Sequence, residues 1–476
     1  MTQGRCRNLA ISPTSSRRRP ARSDRFKAAC AALLLALSSA SLARGETGFY
    51  SLRLEVSDDL RRVSGSLALH YVNPADSPLD SLQFFLFPNL TAGAMSVSDV
   101  RVGGAPSATA ASMNGAKLRA KLAGPLAPGA ALDVALDYTV AVPEDPSGRN
   151  GGFSRAGDVA AFAWCYPVVL FPSDWNNGPP ATYADYLVKE STRYAVRISY
   201  GSRYQLAAAG REVARRSAAD RTTVDLELAA ARDFFFALGT GWKTKTARAG
   251  RVLVRVIAPA KDEERAAFAA DAAARVLAIY TGRFGPYPFD SFTVVVVPLA
   301  SYGLEFPGII AISPATLSAP NRAILEGTIA HEAAHQWFYG VVGSDQVREP
   351  WLDEALAQYA TWLSFADRYG DDGASGFAAT LIERWDRTGR ALMPIGLPVA
   401  SYTDKQYASI VYGRGPLFLQ ALAASIGQDR MNRLLREWVT RFSGKMATGS
   451  DFFRLAEEVG GRSLRPLFAQ WVWPPP

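Results

Sequence analysis

Hydrophobic and polar positions alternate with a period of two along most of residues 45–230, and turn-forming residues separate the alternating stretches. Such alternation is typical of half-buried antiparallel strands, because successive side chains point to opposite faces of a sheet. The clearest predicted strands cover residues 50–56, 65–72, 82–87, 132–138 and 194–200. This part of the chain is therefore predicted to be an all-β domain, in which His70 is a partly exposed structural histidine.

The pattern changes after about residue 240. A predicted strand at 252–257 is followed by an Ala-rich helix at 262–284 and a buried strand at 292–298. Helical periodicity then dominates, with further predicted helices at 374–385, 417–426, 431–442 and 451–459. We therefore predict a multidomain α+β chain, with an N-terminal antiparallel β domain at 44–245 and an α/β-to-helical domain at 246–476.

A segment rich in Gly, Pro, Asn and Trp interrupts the β domain between Pro143 and Pro180. Long loops with aromatic residues in compact domains are commonly functional or line a cleft. A surface excursion is an equally open interpretation of this segment.

Residues 1–43 have the plan of a signal peptide. A basic leader precedes an apolar run at 28–37, and Ser41 and Ala43 supply small residues at the position of a cleavage site. The run is shorter than the roughly 20 apolar residues that a membrane-spanning helix needs. We expect an exported protein, periplasmic or extracellular, without a transmembrane segment in the mature chain; a basic disordered tail is the alternative.

The net positive charge of the whole chain comes mostly from this leader. The formal charge is +8, but residues 1–43 contain eight basic residues and one acidic residue, so 44 basic and 43 acidic residues remain. No nucleic-acid partner is therefore expected. Cys165 is the cysteine left beyond residue 43, which excludes an internal disulfide and a cysteine-rich zinc cluster in the mature chain.

Two of the three histidines of the chain lie four residues apart in a predicted helix that begins near Asn321 and continues through Phe338. Residues at this spacing share one helix face, so His331 and His335 can bind one zinc ion at about 2.0–2.1 Å. Glu332 follows the first histidine, where a carboxylate can hold a water molecule that binds the metal. The pattern predicts a catalytic zinc site.

A catalytic zinc needs a third protein ligand, and Glu354 is the best candidate. It lies early in a second predicted helix that starts at Pro350 and ends near Gly370, and the short connection lets the two helices run antiparallel. Asp353 points about 100° away and is expected to support a ligand instead. Weaker candidates for the third ligand are Glu326, Asp345 and Glu349.

With this ligand set, Glu332 is predicted to take a proton from the zinc-bound water, which then attacks a polarised carbonyl. The developing oxyanion needs a hydrogen-bond donor. Tyr402, Tyr407 and Tyr412 all lie in one Gly/Pro-rich region, and the residues alone leave the choice among them open.

The sequence resembles the aminopeptidase N family of gluzincin zinc metallopeptidases and its leukotriene-hydrolase relatives. The resemblance rests on His331, Glu332 and His335, followed after eighteen residues by Glu354. Residues 303–308 (GLEFPG) are similar to the family's exopeptidase motif, residues 411–415 (VYGRG) to its tyrosine segment, and residues 451–471 to the end of its catalytic domain.

The resemblance implies a saddle-like β domain over a thermolysin-like catalytic domain with one catalytic Zn²⁺ ion. It also implies that Tyr412 is the oxyanion donor and that Glu305, with Gly303, binds the free α-amine of a peptide. Two positions depart from the family: Phe306 replaces an Asn, and Trp164 replaces a Gln or Glu that also contacts the amine. The large C-terminal helical domain of many members is expected to be missing.

The sequence therefore predicts an exported zinc aminopeptidase that acts on peptides with a free N-terminus. A gluzincin endopeptidase, or a peptidase with rebuilt amine recognition, is the alternative if Glu305 does not bind an amine. A noncatalytic peptide-binding protein on the same fold is a third possibility, which the complete set of His, Glu and Tyr residues disfavours.

Overall fold

The computed structural model describes residues 48–91, 93–144, 151–172, 178, 180–184 and 190–473. The predicted signal peptide and part of the segment between Pro143 and Pro180 lie outside the described residues. None of the described helices combines the length and the apolar character needed to cross a membrane.

The first part of the described chain consists of strands, as the alternating pattern predicted. In chain order these are β1 (Gly48–Val56), β2 (Arg62–Val72), β3 (Leu79–Phe85), β4 (Ala94–Val102), β5 (Ala105–Pro106), β6 (Thr109–Ser112), β7 (Lys117–Leu126), β8 (Ala131–Ala141), β9 (Phe153–Ala156), β10 (Val159–Phe162), β11 (Val168–Val169), β12 (Thr192–Gly201), β13 (Gln205–Ala208), β14 (Arg211–Ala218), β15 (Arg221–Ala231) and β16 (Phe236–Gly239).

The largest sheet has the strand order β14-β15-β12-β1-β2-β8-β4-β5, and two smaller sheets have the orders β13-β16-β10-β9 and β11-β3-β7-β6. The expected antiparallel pairing holds with one exception: β1 and β12 are parallel, with Leu52 opposite Val196. A long chain segment separates these two strands, which a parallel pair requires. His70 is a structural residue, because its Nδ1 atom lies 2.7 Å from Asp133 on the paired strand β8.

A five-stranded sheet begins the second part, in the order β17-β18-β19-β21-β20. Its strands are β17 (Trp242–Ala249), β18 (Val252–Pro259), β19 (Ser291–Val296), β20 (Gly303–Phe306) and β21 (Ile309–Ile312); two short strands, β22 (Gly343–Ser344) and β23 (Met446–Ala447), pair elsewhere. The sheet starts at Trp242, so residue 246, the predicted domain boundary, lies inside β17. Burial of β19 in the sheet interior explains its run of valines.

The helices that follow are α1 (Glu263–Phe284), α2 (Pro314–Leu317), α3 (Arg322–Ala334), α4 (Glu354–Asp386), α5 (Asp404–Ser409), α6 (Gly415–Ile426), α7 (Gln428–Phe442), α8 (Gly449–Gly460) and α9 (Arg465–Trp471). A π-helix, Ile410–Arg414, connects α5 to α6. Helix α4 is interrupted at Gly370, whose φ of 62° and ψ of −147° are not helical. The prediction of a helix end at this glycine is confirmed.

The histidine helix α3 ends at Ala334, so the prediction that it continues through Phe338 was wrong. Beyond it the amide of Gly340 bonds to the carbonyl of His335, five residues back, and Tyr339 has a φ of 140°. Two residues of the β domain hold Tyr339 in place: Arg232 donates to its carbonyl, and Asp233 accepts a hydrogen bond of 2.7 Å from its hydroxyl. These tertiary contacts stop the helix.

The two parts of the chain share a core at strand β20. Leu304 and Phe306 pack into the same buried cluster as the strands of the β domain. Gly303 and Glu305 lie on the opposite face of β20, because side chains alternate along a strand. The strand predicted to bind the amine therefore lies where the β domain meets the zinc-helix region.

Candidate active site

The two histidines and Glu354 lie together, as the spacing predicted. The Nε2 atoms of His331 and His335 are 3.3 Å apart, and Oε2 of Glu354 lies 3.2 Å from the first and 3.6 Å from the second. Ligands at about 2.0–2.1 Å from a tetrahedral zinc ion are separated by about 3.3–3.4 Å. The three atoms thus have the spacing of three corners of a zinc tetrahedron.

The protein by itself leaves this cluster unsatisfied. Glu354 is only 3% exposed, yet its Oε2 atom makes no hydrogen bond within the described part of the chain. The Nε2 atoms of His331 and His335 face each other, and a ring nitrogen that carries no proton cannot donate a hydrogen bond to the other. Buried lone pairs without a partner cost free energy, which a bound cation removes. The donor set fits zinc, with two imidazole nitrogens and one carboxylate oxygen.

The electrostatics of the ligands favour a cation at the same point. Burial lowers the pKa of His331, so this imidazole is held neutral, as a metal ligand must be. Burial would raise the pKa of Glu354, but the attraction of the two neighbouring histidines outweighs it and holds that pKa well below its usual range. Glu354 therefore supplies a negative charge.

Asp353 supports His335, as its position beside Glu354 suggested. Its Oδ1 atom lies 2.6 Å from Nδ1 of His335, and its Oδ2 atom accepts a hydrogen bond from Gln346. This carboxylate fixes the ring and directs Nε2 toward the other ligands. Burial acts to lower the pKa of His335, but the charge of Asp353 reverses the effect and raises it well above the usual value.

The three rival carboxylates are engaged elsewhere. Glu326 accepts hydrogen bonds from Arg368 and, at 2.7 Å, from the hydroxyl of Tyr369. Asp345 pairs with Arg348 at 2.6 Å. Glu349 accepts a hydrogen bond of 3.0 Å from the amide of Gly449 at the start of α8. None belongs to a metal-binding group among the residues that the structure describes.

Glu332 faces β20 across a very short gap. A Cβ atom placed on Gly303 would lie 2.5 Å from Oε1 of Glu332, so only a glycine leaves room for this carboxylate. Burial raises the pKa of Glu332 to about 8, near the pH at which a general base works best. Glu305, Glu332 and His335 each place one polar atom within 4.8 Å of the others. The predicted base and the predicted amine anchor are therefore neighbours.

Gln336 connects β20 to the histidine helix, a role that the pattern of the sequence does not predict. Its Nε2 atom donates to the carbonyl of Phe306 at 3.0 Å, and its Oε1 atom accepts the amide of Gly308 at 2.8 Å. Its position directly after His335 was the available signal, but an uncharged amide gave no sign of its partners. It holds the Glu305 strand at a fixed distance from the ligands.

Phe306 and Trp164 form an apolar contact behind β20. Phe306 is fully buried and stacks on Phe235 at 4.3 Å between ring centroids, with Trp164 at 5.5 Å. The indole Nε1 of Trp164 donates to Asp233 at 3.0 Å. Phe306 therefore faces the core, away from the face of β20 that carries Glu305.

The tyrosines differ in their surroundings. The ring of Tyr412, in the π-helix, lies 5.9 Å from that of His331. The hydroxyl of Tyr402 is used elsewhere, since it donates to the carbonyl of Pro394 and accepts the amide of Leu397. Tyr407 packs edge-on against Tyr412 at 5.7 Å. Tyr412 is thus in contact range of the ligand cluster.

Part of the chain is similar to known proteins. Residues 268–471 match the model of the Peptidase family M1 domain. Aminopeptidase M1-B of Oryza sativa subsp. japonica is 26% identical over 239 residues, which cover 46% of this chain and 26% of that protein. Probable aminopeptidase 1 of Sulfurisphaera tokodaii is 24% identical over 241 residues, 47% of this chain and 30% of that protein. The matched region is thus less than a third of these relatives.

Solved structures resemble a larger part of the chain. An M1 zinc metallopeptidase mutant from Deinococcus radiodurans, bound to a Tyr-Ser-Ala substrate, aligns with a TM-score of 0.66 and 22% identity over 91% of this chain and 96% of its own. A two-domain M1 zinc metallopeptidase mutant bound to L-tryptophan aligns equally well, with a TM-score of 0.66 and 22% identity.

The fold and the ligand set define a two-domain zinc metallopeptidase architecture. Residues 268–471 are similar to the Peptidase family M1 domain, and 91% of the chain shares the fold of a solved M1 zinc metallopeptidase.

Proposed function

We propose that this protein is a zinc-dependent aminopeptidase that removes N-terminal residues from peptides. The observation that supports this most directly is Glu305, an anionic side chain within 4.8 Å of Glu332 and His335. A carboxylate at that distance from the metal ligands can bind a peptide α-ammonium group and leave the first peptide bond at the metal.

His331, His335 and Glu354 would hold the zinc ion, and Asp353 would keep His335 oriented. When bound, zinc supplies a Lewis acid for the scissile carbonyl and makes water more acidic. Glu332 takes the proton of the attacking water and returns it to the leaving amine. The hydroxyl of Tyr412 donates a hydrogen bond to the oxyanion that develops on the carbonyl.

The polypeptide is proposed to be exported to the periplasm or the extracellular space. The basic leader, short apolar run and small residues of 1–43 support this proposal. Expression of the full chain, with N-terminal sequencing of the exported product, tests it; retention of residues 1–43 in a cytoplasmic product would contradict it.

A gluzincin endopeptidase is the second candidate. It is favoured by Trp164, an apolar side chain at a position where the resemblance implies a Gln or Glu that also contacts the amine. An endopeptidase does not need a free amine, so the two candidates differ in their response to a blocked N-terminus.

The test combines metal analysis with a panel of aminoacyl reporter substrates and matched N-acetylated peptides. We expect one zinc per chain, cleavage of the free substrates, and at least a tenfold loss on acetylation, since acetylation removes the ammonium charge that Glu305 is proposed to bind. Equal cleavage of free and acetylated peptides would overturn the aminopeptidase proposal. Zinc-independent peptide binding without cleavage would favour a noncatalytic protein.

A further inference from the structure

Arg384 lies on the part of α4 that follows the break at Gly370, packed closely against the π-helix. A Cβ atom on Gly413 would lie 3.0 Å from the amide of Trp385 and 3.2 Å from Cβ of Arg384. Gly413 directly follows Tyr412, so the close approach fixes the base of the Arg384 side chain beside the tyrosine proposed to contact the oxyanion.

The guanidinium of Arg384 is available to a ligand. It makes no hydrogen bond and no ion pair with any residue that the structure describes, and it is half-buried. The acidic residues beside it on α4 are already engaged, Glu383 with Arg387 and Asp386 with Arg390. The acidic residues next to it in the sequence therefore supply no counterion.

The environment of Arg384 is unfavourable for an isolated cation. Burial lowers its pKa, and Arg387 lowers it further, while Tyr412, Tyr302 and Glu354 act in the opposite direction. A partly desolvated cation without a paired anion gains free energy when a carboxylate approaches. The exposed Tyr302, which precedes Gly303, offers a phenol in the same region.

Each of the two histidines is influenced by a charged side chain outside the ligand set, and these two side chains have opposite charges. Besides the larger effects of burial, of the other zinc ligands and of Asp353, the charge of Glu305 acts on His335 and that of Arg384 acts on His331. A short peptide with free ends has an ammonium at one end and a carboxylate at the other. An extended peptide advances about 3.3–3.6 Å per residue, and the long arginine side chain can meet a carboxylate one or two residues beyond the scissile bond.

We infer that Arg384 binds a substrate carboxylate on the leaving-group side of the scissile bond, which gives the site a preference for short peptides with a free C-terminus. This inference rests on the proposed aminopeptidase function. The same contact could be made by an acidic side chain in the residue after the scissile bond, and the experiment separates the two sources.

The test measures binding and turnover with matched peptides. Zinc-loaded Glu332→Gln protein is titrated calorimetrically with Leu-Gly-Gly and with its C-terminal amide, and the catalytically competent protein is assayed with the same pair. We expect the acid to be favoured by about 10- to 100-fold in affinity and in kcat/KM, as for hydrogen bonds between charged groups. A second pair, Leu-Asp amide and Leu-Asn amide, measures recognition of an acidic side chain.

Arg384→Gln should bring the acid-to-amide ratio close to one, whereas Arg384→Lys should keep part of it. The matched control is Arg390→Gln, an arginine on the same helix whose side chain is 58% exposed and paired with Asp386; it should keep the full ratio. The acid-to-amide ratio is measured within each variant. A change in folding or in Tyr412 affects both peptides equally, so it does not change this ratio.

A ratio near one in the unmutated protein, or an unchanged ratio in Arg384→Gln, would overturn the inference. If no peptide or reporter is cleaved but the Glu332→Gln protein binds the acid through Arg384, the carboxylate site stands and the aminopeptidase proposal falls. If neither peptide binds and no reporter is cleaved, both fall.

Discussion

Oδ1 of Asp353 lies 2.6 Å from Nδ1 of His335, the ring nitrogen opposite the one that faces His331 and Glu354. Two consecutive acidic residues thus have different tasks: Glu354 presents its oxygen to the proposed metal, and Asp353 fixes a ligand from behind. The difference follows from the backbone, since Asp353 precedes the first residue of α4 and Glu354 begins it.

Asp353→Asn should weaken zinc binding by about 10- to 100-fold, because the neutral amide orients the imidazole less well and lowers its basicity. Competition with a chromogenic chelator measures the change. Asp386→Asn, which removes an exposed carboxylate on α4, is the control and should bind zinc normally. Unchanged affinity in Asp353→Asn would show that packing alone orients His335.

Gly303→Ala should retain zinc but lose most of its peptidase activity, since the new methyl group would lie 2.5 Å from Oε1 of Glu332 and must displace the base. We expect kcat to fall by about 10²-fold or more. Gly376→Ala is the control, because a Cβ at this helical position meets no atom within 4 Å. Activity near that of the unmutated protein in Gly303→Ala would mean that β20 moves easily.

Glu332→Gln should bind zinc but lose about 10²- to 10⁴-fold in turnover, as expected when a general base is removed. Zinc content and steady-state kinetics with an aminoacyl reporter measure the two quantities separately. Normal turnover in this variant would exclude Glu332 as the base.

Tyr412→Phe should lower kcat with little change in KM, because the lost hydroxyl is proposed to bond only to the oxyanion of the transition state. Tyr402→Phe should instead lower the melting temperature, since that hydroxyl bonds to the backbone at Pro394 and Leu397. An effect of Tyr412→Phe confined to KM would assign this tyrosine to substrate binding.

Arg414→Met should destabilise the protein by about 2–5 kcal/mol, as expected when a buried charged donor is removed from its acceptors. The guanidinium donates to the carbonyls of Met393, Gln470 and Trp471, so it ties the π-helix that carries Tyr412 to the end of α9. Denaturant unfolding measures the loss. Arg414→Lys should recover little, because one ammonium group cannot reach three carbonyls. Full stability in Arg414→Met would show that packing is sufficient.

The sequence determined the elements whose periodicity is local. Alternation predicted β1, β2, β8 and β12, and Gly370 marked the break in α4. The four-residue spacing of His331 and His335 and the position of Glu354 after a short connection predicted which atoms meet. These inferences depend on helix and strand geometry, which each residue and its near neighbours largely set.

Only the tertiary structure decided the contacts between distant segments. Arg232 and Asp233 of the β domain hold Tyr339 and end α3 early, which no local signal in the helix indicates. The pleat of β20 sends Phe306 into the core and Glu305 toward the ligands. Arg384 is brought beside Tyr412 by packing against Gly413, so its charge could be related to the site only once the chain was folded.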